Sequence, residues 1–206
     1  MSQPPDSDPV AKPVIIIAGP TASGKSALAV DVAERVSGMV INADSMQVYR
    51  GLEILTSVPD AKMRARAPHR LFGFLRPDKS CSAGEWRDLA IAEIHTAHNS
   101  GQVPIVVGGT GLYLRSLMTG IAQMPSIPTK TRDRIRAGLT RDGSAALHER
   151  LRQQDPDTAS RLSKNDGQRI CRALEVLEAT GRSLTDWQRE GSQPPDLGVL
   201  KFWTIL

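Results

Sequence analysis

The segment Gly19-Pro20-Thr21-Ala22-Ser23-Gly24-Lys25-Ser26 constrains this chain more than any other. It fits the pattern G-x-x-x-x-G-K-[ST], and its setting fits as well. Val14-Ile15-Ile16-Ile17-Ala18, just before it, is a continuous apolar run. That is the pattern of a parallel strand covered on both faces, not of an alternating, half-exposed one. A helix is expected next, from about Gly24 to Val36, with Leu28, Val32 and Val36 along its apolar face and Ser37-Gly38 at its end. A glycine-bearing turn between such a strand and helix wraps backbone N–H groups round a phosphate, and the helix N-terminus adds its positive end. Lys25 neutralises charge there, and the Ser26 hydroxyl can hold Mg2+. The motif specifies a di- or triphosphate and leaves the remainder of the ligand open.

A second strand, Met39 to Ala43, makes a strand–helix–strand unit of about thirty residues, which is a parallel βαβ crossover. Residues 50–82, rich in Pro, Arg and Gly, read as loops with short elements. Ser82, with Glu85 three positions on, predicts a capping box and a helix running through Ile91 and Ile94 to Gly101. Pro104 to Val107 is a third buried strand, closed by Gly108-Gly109, and Gly111 to Leu117 opens another helix. Beyond Gly120, Pro125 and Pro128 break the pattern, and helical periodicity continues to Glu190. There Asp166 caps a helix with Ile170, Leu174 and Leu177 on its apolar side and Gly181 at its end. Val199 to Leu206 returns to strand character. The expected fold is α/β: a P-loop NTPase-like parallel sheet core with an all-helical insertion domain. The expected boundaries are a disordered tail over 1–13, the core over 14–120, the insertion over 121–194, and a return to the core sheet over 195–206.

Composition narrows the class. With 206 residues, 40% of them hydrophobic and 23% charged, wholesale disorder is excluded. Aromatics are only 4%, so the core must be aliphatic. No apolar run approaches the ~18 residues of a membrane-spanning helix. Pro4, Pro5, Asp6, Asp8 and Pro9 stand where a signal peptide needs basic and then apolar residues, so a cytoplasmic protein with no membrane partner is expected. Cys81 and Cys171 are too far apart for a metal cluster and are expected as two small buried residues. The net charge of +4 is uneven: residues 1–120 carry 12 basic and 11 acidic side chains, and residues 121–190 carry 13 and 10. An anionic partner is compatible with this, and so is an ordinary solvated helix face.

Beyond the phosphate loop, Asp44 of Asn42-Ala43-Asp44-Ser45-Met46-Gln47 falls at the carboxyl end of the second strand. In doubly wound sheets that edge faces the ligand crevice. A carboxylate there suits a general base, an Mg2+ ligand or a turn cap. Gly108-Gly109-Thr110-Gly111 follows the third strand where a hydrolytic P-loop ATPase often carries an acid. This points away from an ATPase, although a plain turn reads the same way. Gln168-Arg169-Ile170-Cys171-Arg172 sets two arginines at i,i+3 near a helix start. They suit phosphate and base contacts or a solvated face.

These segments together resemble the tRNA dimethylallyltransferases (tRNA isopentenyltransferases). The resemblance is carried by GPTASGKS, NADSMQVYRGLEI, Ala67-Pro68-His69-Arg70-Leu71, VVGGTGLY and NDGQRICRALEV followed by Gly181, in the family's order. It covers nearly the whole chain after the tail. It implies transfer of a dimethylallyl group from dimethylallyl diphosphate to the N6 amine of the adenosine 3′ of the anticodon. Carried over residue by residue, Gly19 to Ser26 would hold the diphosphate, with Ser26 holding Mg2+. Asp44 would be the general base, and Thr21 would lie near the scissile oxygen. Asp44, Ser45, Met46, Gln47, Thr110, Gln168, Arg169, Ile170, Cys171 and Arg172 would contact tRNA. The expected partners are a tRNA anticodon stem–loop, clamped by the helical block, and the prenyl diphosphate, with the enzyme a monomer.

The chain departs from the family pattern at Val58, where a cation is common, and at Gly167, where Pro is usual. The family also continues past a strand like 199–206, so the expectation is a member lacking its C-terminal part. Two rival readings fit the sequence: a P-loop kinase of a small metabolite, and an RNA- or protein-binding module that uses the basic helical block alone. An adenylate isopentenyltransferase is a closer relative; the long helical block favours tRNA over a free nucleotide.

Overall fold

The computed structural model of the chain describes residues 12–122, 124–190, 194–197 and 199–204. Residues 1–11 of the expected tail, and Ile205 and Leu206 of the expected last strand, lie outside them. The elements are β1 (Pro13–Ala18), α1 (Lys25–Val36), β2 (Gly38–Asn42), α2 (Ala61–Arg66), β3 (His69–Arg70), α3 (Ala83–Asn99), β4 (Val103–Gly108), α4 (Gly111–Thr119), α5 (Thr129–Gln154), α6 (Pro156–Ser160), α7 (Gly167–Thr180), α8 (Leu184–Arg189) and β5 (Val199–Thr204). They fall into two compact units.

The first unit holds the sheet, a five-stranded arrangement in the order β3-β2-β4-β1-β5. Every pairing is parallel. All carboxyl ends therefore share one edge, and β1 sits between β4 and β5. On one face Ile15, Ile17, Val40, Ile105 and Val107 pack with Ala29 and Ala33 of α1 and with Ala67. Because strand side chains alternate, Ile16, Ile41 and Val106 point to the opposite face, and all three are fully buried.

The buried face of α1 differs from the expected one. Leu28 and Val36 are 39% and 37% exposed, and the buried positions are Lys25, Ala29, Val30 and Ala33. Only Val32 of the expected stripe packs against the core, and only partly. Close approach explains this. A Cβ on Gly38 would lie 3.1 Å from Ala33 Cα and 2.7 Å from Ile105 Cδ1. Small residues let the helix settle on the strands, so leucine and valine go outward. The helix ends on Ser37 in the left-handed conformation (φ 52°), and Gly38 already belongs to β2.

The capping box at Ser82 and Glu85 forms, with Ser82 Oγ accepting from Glu85 N and Glu85 Oε2 accepting from Ser82 N. Cys81 beside it is half-buried, while Cys171 is buried, so the expectation of two buried thiols holds only for the second.

The second unit is helical over its described residues. Ile135, Leu147, Leu151, Ala159, Ile170, Cys171 and Leu174 form its core. Gly143 (φ 79°, ψ 169°) breaks α5 into two segments. The buried Glu175 faces Arg136 and Arg172. Glu178 joins Arg134 of the first α5 segment to Arg150 of the second. Asp166 caps α7 by accepting from Arg169 N, and Gly181 (φ 70°) closes it. No helix among the described residues is long and apolar enough to cross a membrane.

Candidate active site

The loop from β1 to α1 spans residues 19–24. It turns through Ala22 (φ 65°) and Gly24 (φ 81°), both left-handed. Left-handed backbone costs an ordinary residue roughly 1–2 kcal/mol and a glycine almost nothing. The N-terminus of α1 has no side-chain cap and no acidic residue in its first turn. Its first N–H groups therefore have no partner within the helix, and they carry the positive end of the dipole. Lys25 is only 8% exposed, and its Nζ donates to the Pro20 carbonyl at 2.9 Å across the loop. An ammonium has three protons, so two remain for a ligand. Ser23 Oγ is buried with no hydrogen-bond partner among the described residues. A buried hydroxyl and the uncapped N–H groups of a helix N-terminus fit an anion. Thr21 and Ala22 are exposed at the loop tip, and Ser26 is half-buried at the second position of α1.

Two glycines bring three loops together at the carboxyl edge. A Cβ on Gly108 would lie 2.2 Å from the Ala43 carbonyl, and one on Gly109 would lie 3.0 Å from Gly19 O. The backbone after β4 therefore touches both the start of the phosphate loop and the residue before Asp44. Thr110 N donates to Ala43 O at 3.2 Å. Thr110 Oγ1 accepts from Ser45 N at 2.8 Å and donates to Ser45 Oγ at 3.2 Å.

Asp44 lies between Ala43 and Ser45, the two residues that the segment after β4 holds. Its Oδ1 accepts from Met46 N at 2.9 Å. Asp44, Ser45 and Thr110 are half-buried, and Met46 is 54% exposed. Gln47 is different: it is only 8% exposed, and its Nε2 donates to Thr56 O and Ser57 O. That side chain holds the neighbouring 52–58 loop. No group of three or more His, Cys, Asp or Glu among the described residues could hold a metal ion. Mg2+ is compatible with such a site, because it commonly takes one or two protein ligands and completes its shell with phosphate oxygens and water.

The Gln168–Arg172 segment lies in the helical unit. Gln168 is exposed, as is Arg169, whose guanidinium pairs with Asp166. Arg172 faces Glu175 and contacts Met124 Sδ. Ile170 and Cys171 are 0% and 5% exposed and belong to the core of that unit. Their side chains hold α7 in place, while the two arginines and Gln168 present the polar groups.

Asn42, Trp86 and Tyr113 carry no role that the sequence alone assigns. Trp86 is fully buried and donates from Nε1 to Asn42 O at 2.8 Å. It stacks on Tyr113 with ring centroids 4.5 Å apart. Burial pushes the Tyr113 phenol well above its ordinary range, helped by Cys81, whose carbonyl accepts from it. Burial likewise raises the Cys81 thiol. A signal was present: two large aromatics in an aromatic-poor chain, each on a helix flanking a glycine-rich or Asp-bearing strand end.

The chain is similar to known proteins of one family. Residues 47–205 match the IPP transferase family. A tRNA dimethylallyltransferase of Rhodospirillum centenum is 52% identical over 198 residues, 96% of this chain and 63% of the relative. That of Nitrobacter hamburgensis is 52% identical over 193 residues, 94% of this chain and 61% of the relative. The chain thus spans about six-tenths of the length of these curated relatives. A eukaryotic dimethylallyltransferase acting on tRNA superposes with a TM-score of 0.78 at 29% identity, covering 95% of this chain and 48% of that one. The tRNA isopentenylpyrophosphate transferase of Bacillus halodurans does so at 0.54 with 36% identity, covering 84% and 57%.

Proposed function

Because the chain belongs to the IPP transferase family, we propose that the protein bearing it moves a dimethylallyl group from dimethylallyl diphosphate to the N6 amine of the adenosine 3′ of the anticodon, in cytoplasmic tRNA. The observation that supports this reading best is the close approach of Gly109 to Gly19 of the phosphate loop and of Gly108 to Ala43, the residue before Asp44.

The N6 amine is a weak nucleophile because its lone pair is delocalised into the ring. It attacks C1 of the allylic group, the C1–O bond breaks, and the electron pair leaves with the diphosphate. The proton released from nitrogen passes to the Asp44 carboxylate. Oδ1 already accepts from Met46 N, so Oδ2 is the natural acceptor. Negative charge grows on the leaving diphosphate, and the loop N–H groups and Lys25 are assigned to stabilising it, which is usually the largest single contribution to catalysis. Thr21 is assigned to the bridging oxygen. Mg2+ on the Ser26 hydroxyl, when bound, adds positive charge against the same diphosphate.

The adenine must leave its stack, at a cost of a few kcal/mol that an unpaired loop reduces. Ser45, Met46 and Thr110 are assigned to the flipped base. Gln47 is assigned to shaping the adjoining loop. Gln168, Arg169 and Arg172 are assigned to the anticodon stem–loop, and Ile170 and Cys171 to holding their helix. The test is a titration with pyrophosphate, dimethylallyl diphosphate and ATP in Mg2+, followed by transfer of labelled prenyl group to an anticodon stem–loop. Preference for the prenyl diphosphate with labelled RNA is expected. Preference for ATP with an adenine-dependent component would contradict the reading and favour a kinase.

A further inference from the structure

We propose that Asn42 is a positioning residue for Asp44, holding the base carboxylate at its working angle; this rests on Asp44 being the proton acceptor. Asn42 is the last residue of β2 and is 0% exposed. A buried amide is costly unless its donors and acceptor are matched, and here all are. Its Oδ1 accepts from Asp44 N at 2.9 Å. Its Nδ2 donates to Asp44 O and to Leu71 O, both at 3.0 Å. One side chain thus grips both backbone polar groups of the residue that carries the carboxylate.

The grip is anchored from two further directions. Leu71 holds a left-handed backbone (φ 62°), a rare conformation for leucine, and its carbonyl is one of the two that Asn42 binds. Behind the strand, Trp86 donates to the Asn42 carbonyl and is itself stacked on Tyr113. Asn42 therefore joins the Leu71 turn, the aromatic pair and Asp44. The outer side of the same loop is held separately by Thr110 on Ser45. Between the two clamps the Asp44 backbone has little freedom, and its side chain has one oxygen tied to Met46 N.

A base has to meet its proton within hydrogen-bond reach, and a misplacement of about 1 Å can cost on the order of 100-fold in rate. Asn42→Ala removes the grip without touching the ligand-facing atoms. In the full-length protein it should lower kcat by about 10- to 100-fold with KM for the prenyl diphosphate nearly unchanged. Asn42→Ser keeps a short acceptor for Asp44 N and loses the reach to Leu71 O, so it should fall between wild type and Asn42→Ala.

The deciding experiment is a double-mutant cycle with Asp44→Asn, reading kcat and thermal midpoint together. If Asn42 works through Asp44, either Asn42 variant costs less than about two-fold once Asp44→Asn is in place, because no base remains to misplace. A role confined to folding predicts a lower midpoint with the same rate cost in both backgrounds, and that result overturns the proposal. So does an unchanged kcat in either Asn42 variant when Asp44→Asn alone is slow. If Asn42→Ala fails to fold, Asn42→Ser is read by the same criteria. If Asp44→Asn keeps the wild-type rate, the base assignment falls first and this proposal falls with it.

Discussion

Gly108 lies against Ala43 so closely that a Cβ on the glycine would stand 2.2 Å from the Ala43 carbonyl carbon and oxygen. This contact is backbone on backbone, with no flexible side chain to yield. It sets the distance between the ends of β2 and β4, while Gly109 beside it lies against Gly19 O at the start of the phosphate loop.

Gly108→Ala should therefore be destabilising by about 1–3 kcal/mol or more, as expected of overpacking against rigid atoms. Gly138→Ala is the matched control. Its Cβ would meet Leu147 Cδ1 at 3.7 Å, an ordinary contact inside a helix. It should be neutral or stabilising by up to about 1 kcal/mol. Urea denaturation of the two variants reads the difference, and equal effects would contradict the contact.

Lys25→Ala should weaken pyrophosphate binding by about 10- to 100-fold, the worth of one hydrogen bond to a charged group. The fold should survive, since among the described residues the lysine side chain makes one hydrogen bond, to Pro20 O. Calorimetric titration in Mg2+ checks the first part and thermal melting the second. Unchanged affinity would mean that the anion lies elsewhere.

Glu178→Gln should destabilise the helical unit by about 1–3 kcal/mol. Glu178 holds Arg134 and Arg150, which stand on opposite sides of the break at Gly143. Glu149 pairs with Arg152 in the open, so Glu149→Gln should change stability by less than about 1 kcal/mol. Denaturant midpoints of the two variants make the comparison, and a larger loss in Glu149→Gln would contradict the bracing role.

His69 gives the stability a pH dependence. Its Nδ1–H donates to Ala67 O at 2.8 Å, and Nε2 is buried with no partner among the described residues. Burial pushes its pKa below the ordinary 6.5; the Ala67 bond works against this, and Arg64 nearby adds to it. The folded state then binds a proton less readily than the unfolded one. Its contribution is present above pH 6.5 and lost as pH falls through the lowered value. Urea midpoints at pH 7.5 and 5.5 should differ more for wild type than for His69→Asn. An equal loss in both would contradict the burial argument.

Most of the architecture was legible because it rests on local patterns. The apolar runs at 14–18 and 104–107 are buried strands, and the Ser82–Glu85 spacing is a capping box. Positions that depend on tertiary approach were not legible. Leu28 and Val36 have helical spacing and still face outward, because Ala29, Ala33 and Gly38 set how near α1 lies to the sheet. The two-residue β3 carries too little pattern to announce itself. At the site, the phosphate loop and Asp44 are visible as a motif. Gln47 reads as a tRNA contact in sequence, and its hold on the 52–58 loop through Thr56 O and Ser57 O is visible only in the structure. The role of Asn42 needs the Leu71 turn, twenty-nine residues away, to be seen.

The assignment of Asp44 is tested most directly by prenyl transfer to an anticodon stem–loop, comparing the full-length protein with its Asp44→Asn variant. The amide is nearly isosteric and can keep the bond from Met46 N, so the fold and the binding of both substrates should persist. Proton acceptance is lost, which is typically worth roughly 10²–10⁴-fold in rate. The loss should fall on kcat with KM little changed. A kcat within a few-fold of wild type, together with a sharply lower melting temperature, would show instead that Asp44 is a turn cap and that another group takes the proton.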